Sequence, residues 1–274
     1  MEVKMGKNLL AIYHALVVQF KHNHKKTKMP ELKTHLDGSE QSMIPILKHG
    51  LGMFPISTKN SIVQLEEFSA GTGISDLTVF SIDKRILKER RTKIGRPLTA
   101  RNQIKVLTAI LSKEDNSLDS LKARTKLSIP TIKKVIDSLK NAGVVTENDG
   151  MYSTDYNLKS ATSENIIAIE AKVKDWKSGL QQAMRYKEYA DYSYLAIYEA
   201  NINSCLKNIK TFEQLGIGII GVYDEGVTVH LKAKQSDMTK SESKILAFER
   251  MISVIDERHE SFIARNGFAS YSTS

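Results

Sequence analysis

Glu170 and Lys172 stand two positions apart in the segment IIAIEAK, Ile166 to Lys172. In an extended strand side chains alternate faces, so this acid and this amine emerge together while Ile167, Ile169, Ala171 and Val173 bury the other side. A second carboxylate, Asp76, lies within ISDLTVF, Ile74 to Phe80. If its strand runs alongside, two carboxylates and one lysine converge, a set suited to holding a hard divalent cation and orienting a water molecule. Gln182 and Tyr186 follow within QAMRY. At i, i+4 they share one helical face.

These residues need a sheet and at least one helix to meet. From Ile62 the texture is β: IVQLEEF, a turn through Ala70, Gly71 and Gly73, then ISDLTVFSI, a hairpin with Asp76 on its second strand. The IIAIEAKV strand precedes a helix from about Ser178 to Tyr189 and the segment YSYLAIYEA. GIGIIGVY, DEG and VTVHLKA make a second hairpin signal. A long final helix opens on a capping box of Thr239 and Glu242 and carries Ile245, Phe248, Ile252, Ile255 and Phe262 on the face expected to pack on the sheet. Towards the start, Leu9 to Phe20 reads as an apolar helix, Lys21 to Lys28 as a basic arm containing His22 and His24, and a short helix begins near Ser39. Neither histidine has a Cys or acidic neighbour at zinc spacing, so a solvated arm is expected. The run Lys84 to Arg96, dominated by Lys and Arg and ending at Pro97, reads as a boundary.

Residues 97–158 follow a different grammar, with three helical segments and then a short β pair. Ile104, Leu107 and Leu111 stripe the first helix. Asn116 and Ser117 lead into the second, with Leu118 and Leu121. In the third, Ser128 is an N-cap, Pro130 lies in the first turn, and Ile132, Val135, Ile136 and Leu139 recur at i, i+3, i+4, i+7 before Gly143. VVTENDGMYST then turns at Asn148, Asp149 and Gly150. This order resembles a winged helix-turn-helix domain. Its third helix would present Thr131, Lys133 and Lys134 outward, a face that suits the major groove; Arg90 and Arg91 in the preceding basic run are further candidates for DNA contact.

Asp76, Glu170 with Lys172, and Gln182 with Tyr186, taken in order, resemble the PD-(D/E)xK nuclease superfamily, the restriction-endonuclease-like fold. The resemblance implies that Asp76 and Glu170 ligate Mg²⁺, for which Mn²⁺ can substitute, with help from the Ala171 backbone carbonyl. It implies that Lys172 positions or activates the attacking water, and that Gln182 and Tyr186 match the family's QxxxY motif. Ser75 stands where the motif's name has Pro, and Asp76 and Glu170 lie much further apart than one hairpin, a distance that an inserted winged-helix domain would explain. For a third acid Glu67 ranks first, because it alternates with Val63 and Leu65; Glu66 takes the other face and Glu40 is a further candidate. The competing reading is an exposed Glu170–Lys172 pair on an edge strand, which alone would contribute little.

Composition bears on partners. Forty Lys and Arg against 31 Asp and Glu leave a formal charge of +9, which favours a polyanion such as nucleic acid. An anionic membrane surface is the other possibility, but the longest apolar run is too short to span. No secretory signal pattern opens the chain, and Cys205 is the single cysteine, so a reducing cytoplasm is the expected compartment. Cys205 is expected to serve only packing.

The expectation is thus an α/β protein with a restriction-endonuclease-like mixed sheet flanked by helices. The core comprises 1–96 and 159–274, interrupted at 97–158 by a mainly α winged-helix domain. Its expected activity is Mg²⁺-dependent cutting of DNA, most readily double-stranded, by a cytoplasmic protein for which a homodimer is the simplest way to cut both strands. The rivals are a non-catalytic winged-helix DNA-binding regulator and an RNA-directed nuclease.

Overall fold

The computed structural model describes residues 36–54, 60–94, 96–112, 115–156, 165–238 and 241–266, with 51, 53, 61, 84, 91, 93, 241 and 257–266 described by backbone alone. The expected apolar helix and basic arm near the start, with His22 and His24, lie outside the described residues, as do Thr239 of the capping box and the side chain of Phe262.

Six strands form one mixed sheet in the order β1 (Ser61–Ser69), β2 (Ile74–Ile82), β5 (Asn165–Lys172), β6 (Tyr192–Tyr198), β7 (Gly218–Tyr223) and β8 (Gly226–Leu231). The β1–β2 and β7–β8 hairpins and the β2–β5 pair are antiparallel, whereas β5, β6 and β7 run parallel. Parallel neighbours need crossovers. α6 (Trp176–Tyr186) carries the chain from β5 to β6, and α7 (Asn203–Leu206) and α8 (Ile209–Leu215) carry it from β6 to β7. The last two helices have too little periodicity to stand out in the sequence. β5 is an interior strand, so the edge-strand reading of Glu170 and Lys172 is excluded.

Alternation along β5 divides the core as the sequence dictates. Ile167, Ile169 and Ala171 pack with α1 (Glu40–His49), including Met43, Ile44 and Leu47, on one face. Ile166 and Ala168 face the other way, towards Tyr186, Tyr189 and the long helix α9 (Ser241–Asn266). Within α9, Ile245, Phe248 and Ile252 are buried, while Glu242 accepts a hydrogen bond from the Thr108 hydroxyl at 3.0 Å. Ser39 caps α1 by accepting from the Ser42 N–H.

The basic run read as a boundary forms a helix instead, α2 (Lys84–Lys93), capped by Asp83, whose side chain accepts from the Arg85 N–H. It is followed by α3 (Arg101–Ser112), α4 (Leu118–Thr125), α5 (Ile129–Asn141) and the hairpin β3 (Thr146–Asn148) and β4 (Met151–Ser153). Ser117 caps α4, and Ser128 caps α5 with Pro130 in the first turn. Asp149 and Gly150 both have positive φ, 51° and 75°, the pairing a tight two-residue hairpin turn demands. These helices do not enclose a core of their own. Leu107, Leu121, Ile132 and Leu139 belong to the same apolar cluster as Phe80, Ile82, Phe248 and Met251.

Candidate active site

The site begins where the ladders lose regularity. Pairing of β2 with β5 ends at Leu77 opposite Ile169. Beyond it the Asp76 carboxylate takes over as acceptor, receiving the Ala171 N–H at 2.6 Å. Across the hairpin, β1 pairs Glu66 with Leu77 and Phe68 with Ser75, but Glu67 has φ 48°. That turn of backbone resets the alternation. Leu65 and Phe68 both enter the core beneath α9, Glu66 pairs with Lys48 of α1, and Glu67 is exposed rather than continuing the inward series of Val63 and Leu65. Ser75 is fully buried and donates to the Phe68 carbonyl at 3.3 Å, a bond proline could not make.

Glu170 is buried beside Lys172, with Nζ 2.8 Å from Oε1. Its other oxygen accepts from the Tyr186 hydroxyl at 2.5 Å. The same hydroxyl lies 2.5 Å from the Ile74 carbonyl, so the final residue of α6 ties Glu170 to the start of the Asp76 strand. Lys172 also reaches Glu40 in the first turn of α1, at 3.1 Å. Close approach of α6 to β5 requires Gly179: a Cβ there would lie 2.5 Å from Leu195 Cδ1 and 2.8 Å from Lys172 Cγ.

Burial raises the pKa of Asp76, the charges of Glu40 and Glu67 add to the rise, and the Ala171 N–H and Lys172 pull it back. Burial likewise raises Glu170, with Asp76 adding, against the opposing bonds from Lys172 and Tyr186. Lys172 is drawn down by burial, but its bonds to Glu170 and Glu40 and their charges outweigh that and hold it above its ordinary value. Lys172 is therefore protonated at neutral pH. Two carboxylates, each raised by burial and by acids nearby, form a donor set that a cation would relieve. Among the described residues, no three His, Cys, Asp or Glu side chains are grouped to hold a metal alone. Mg²⁺ does not ask for that, since it keeps several waters and commonly takes one or two carboxylates together with substrate phosphate oxygens.

The structure thus brings together Asp76, Glu170, Ala171, Lys172 and Tyr186. Gln182 is half-buried on α6, and its amide oxygen is occupied by the Ser178 hydroxyl at 3.3 Å rather than by the carboxylates. Glu40, ranked below Glu67, is the upstream acid that touches Lys172. Nothing in the linear pattern ties α1 to β5, so only the fold reveals it. Arg90 is corrected outright. It is buried, paired with Glu249, and donates to the carbonyls of Ile94 at 2.7 Å and Arg96 at 2.9 Å, so it is unavailable to DNA. Arg91 lies on the same helix with its side chain outside the described residues. On α5, Lys133 and Lys134 are exposed, whereas Thr131 is half-buried with its hydroxyl 2.8 Å from that of Ser128. An open groove of about 450 Å³ lined by Thr72, Gln181, Met184, Arg185, Glu188 and Met238 lies on the outer side of α6, and neither Asp76 nor Glu170 lines it.

No family model matches the chain, and no curated protein matches it. Among solved structures the chain is similar to SPO1766, a protein of unknown function from Silicibacter pomeroyi, at 10% identity over 90% of this chain and 100% of that one, with a TM-score of 0.37. A likeness at that level carries no argument about function. Among the described residues, no helix is long and apolar enough to cross a membrane.

Proposed function

We propose that this protein is a metal-dependent deoxyribonuclease with a restriction-endonuclease-like core and an inserted winged-helix unit that grips DNA. The observation that carries the reading is the Glu170–Lys172 ion pair on an interior strand, with the Asp76 carboxylate bonded to the peptide N–H between them. A surface pair kept for solubility needs neither burial nor a second carboxylate on its own backbone.

When bound, a divalent cation would lower the pKa of a water and offset the charge of the phosphodiester. Asp76 and Glu170 are the residues that would hold it, with the Ala171 carbonyl beside them. Tyr186 fixes the orientation of Glu170 through its hydroxyl. Lys172, protonated, faces the same carboxylate and supplies positive charge to the developing oxyanion rather than accepting a proton. Lys133 and Lys134 on α5 supply charge to duplex phosphates. One such site per chain cuts one strand, so a homodimer fits cutting of both.

The test incubates the protein with supercoiled plasmid, linear duplex, single-stranded DNA and RNA under Mg²⁺, Mn²⁺ or EDTA. Metal-dependent cutting of DNA, absent in Lys172→Ala, supports the reading. DNA binding without cutting under every condition, weakened by Lys133→Ala with Lys134→Ala, would make the protein a winged-helix regulator, and preference for RNA would overturn the choice of DNA.

A further inference from the structure

The turn joining β1 to β2 is gripped by two arginines from elsewhere. Arg101, exposed at the start of α3, donates from Nη2 to the Gly71 carbonyl at 2.9 Å. Arg250, half-buried on α9, donates from Nη1 to the Ser69 carbonyl at 3.1 Å and from Nε to the Thr99 carbonyl at 3.3 Å. Both flank one small space. A Cβ built on Gly71, whose φ is +97°, would lie 3.0 Å from Arg101 Nη2 and 3.4 Å from Arg250 Nη1.

Among the described residues neither guanidinium has a carboxylate partner, and their bonds to the three carbonyls use only a fraction of the donors each carries. Like charges brought together over a surface turn repel. Burial and the nearby Arg101 both depress Arg250, and an anion between the two would relieve that repulsion. Paired guanidiniums with free donors match the geometry of a phosphate.

The position gives this anion a meaning. Gly71 and Asp76 lie on one hairpin, so the turn is within about 17 Å of the candidate site along the chain. Arg101 belongs to the inserted segment and Arg250 to α9, so the turn is also where insert and core meet. We infer that Arg101 and Arg250 form a phosphate clamp that takes a backbone phosphodiester of bound DNA a small number of nucleotides from the one to be cut. The clamp rests on the nuclease reading, but its test can fail separately.

The experiment measures binding of a fluorescent duplex in EDTA across a salt series, beside Mg²⁺-dependent cutting of the same duplex. Variants are Arg101→Gln, Arg250→Gln, the double, and Arg101→Lys, each checked for folding by circular dichroism. If the clamp neutralises one phosphate, the double variant loses about 0.9 from the slope of log K against log salt. Arg101→Lys, which keeps the charge but not the fork, retains the slope; Arg101→Gln, at an exposed position, keeps the test available should the double variant not fold. An unchanged slope in the folded glutamine variants, with DNA still bound and cut, overturns the clamp alone. Equal loss in Arg101→Lys and Arg101→Gln assigns the arginine to holding the turn and also overturns the clamp. No binding of DNA by the unaltered protein overturns the clamp and the nuclease reading together.

Discussion

Replacing Glu249 by leucine would leave the Arg90 guanidinium buried without its counter-charge. Glu249 is fully buried on α9 and accepts four bonds: two from Arg90, one from the Tyr156 hydroxyl at 3.0 Å and one from the Leu98 N–H at 2.7 Å. Leu98 and Tyr156 stand at the two ends of the segment that carries α3 to α5 and the β3–β4 hairpin, so a single carboxylate anchors its entry, its exit and α2. Breaking a buried pair costs about 3–5 kcal/mol. The lower end applies here, because Arg90 keeps its bonds to the Ile94 and Arg96 carbonyls. Stranding the Leu98 and Tyr156 donors adds about 1 kcal/mol each at the modest end of the range. The expected loss is roughly 5 kcal/mol, comparable with the whole stability of many domains. Urea unfolding followed by circular dichroism gives the loss from the midpoint and slope. Arg90→Met combined with Glu249→Leu removes both charges and should be more stable than Glu249→Leu alone, a coupling opposite in sign to additivity. A loss below about 1 kcal/mol in the single variant, or strict additivity in the double, would refute the reasoning that the carboxylate is there to neutralise a buried guanidinium.

Gly179→Ala is expected to displace Lys172 more than it destabilises the fold: the new methyl meets the stem of Lys172 and the flexible end of Leu195, so overpacking costs about 1–3 kcal/mol while metal-dependent cutting falls at least about tenfold, the equivalent of 1.4 kcal/mol in the barrier. Preserved cutting beside a normal melting temperature would show that Lys172 does not need its present position. Burial pushes the Cys205 thiol up to about 11, so at pH 8 it is protonated and enclosed; a thiol reagent should label the native chain slowly and the urea-unfolded chain rapidly, and fast native labelling would contradict the packing around it.

How much was legible in the sequence depended on how local the cause was. Ser128, Pro130 and Gly143 signal α5 because a cap, a fixed φ and a stop act within a few residues. The period-two pattern of IIAIEAK placed Glu170 and Lys172 on one face and Ile167 and Ile169 on the other. Arg90 was misplaced because its side-chain environment is set by Glu249, far away on α9; composition sees a basic run, while the helix turns Arg90 inward and leaves Arg85 exposed. Glu40 was underrated for the same reason: its contact with Lys172 exists only because α1 crosses the end of β5.

The least legible feature is the irregularity on which the site depends. A strictly alternating β1 would carry Glu67 inward with Leu65 and leave Phe68 on the α1 face. The positive φ at Glu67 instead returns Phe68 to the core, where it packs edge-on against Phe80, and beside it the buried Ser75 hydroxyl bonds the Phe68 carbonyl. With the hairpin held in this distorted form, β2 leaves β5 after Leu77, and a side-chain carboxylate rather than a backbone carbonyl receives the Ala171 N–H. A regular ladder would satisfy that N–H through the backbone and free Asp76 from the strand that carries Glu170 and Lys172. Backbone strain of this kind costs about 1–3 kcal/mol and persists where surrounding structure fixes it. Here it is fixed by Phe68 and Ser75 on one side and by the Tyr186 hydroxyl at the Ile74 carbonyl on the other. The hairpin is therefore shaped to bring two carboxylates together against their mutual repulsion, an arrangement that a packing role alone does not require.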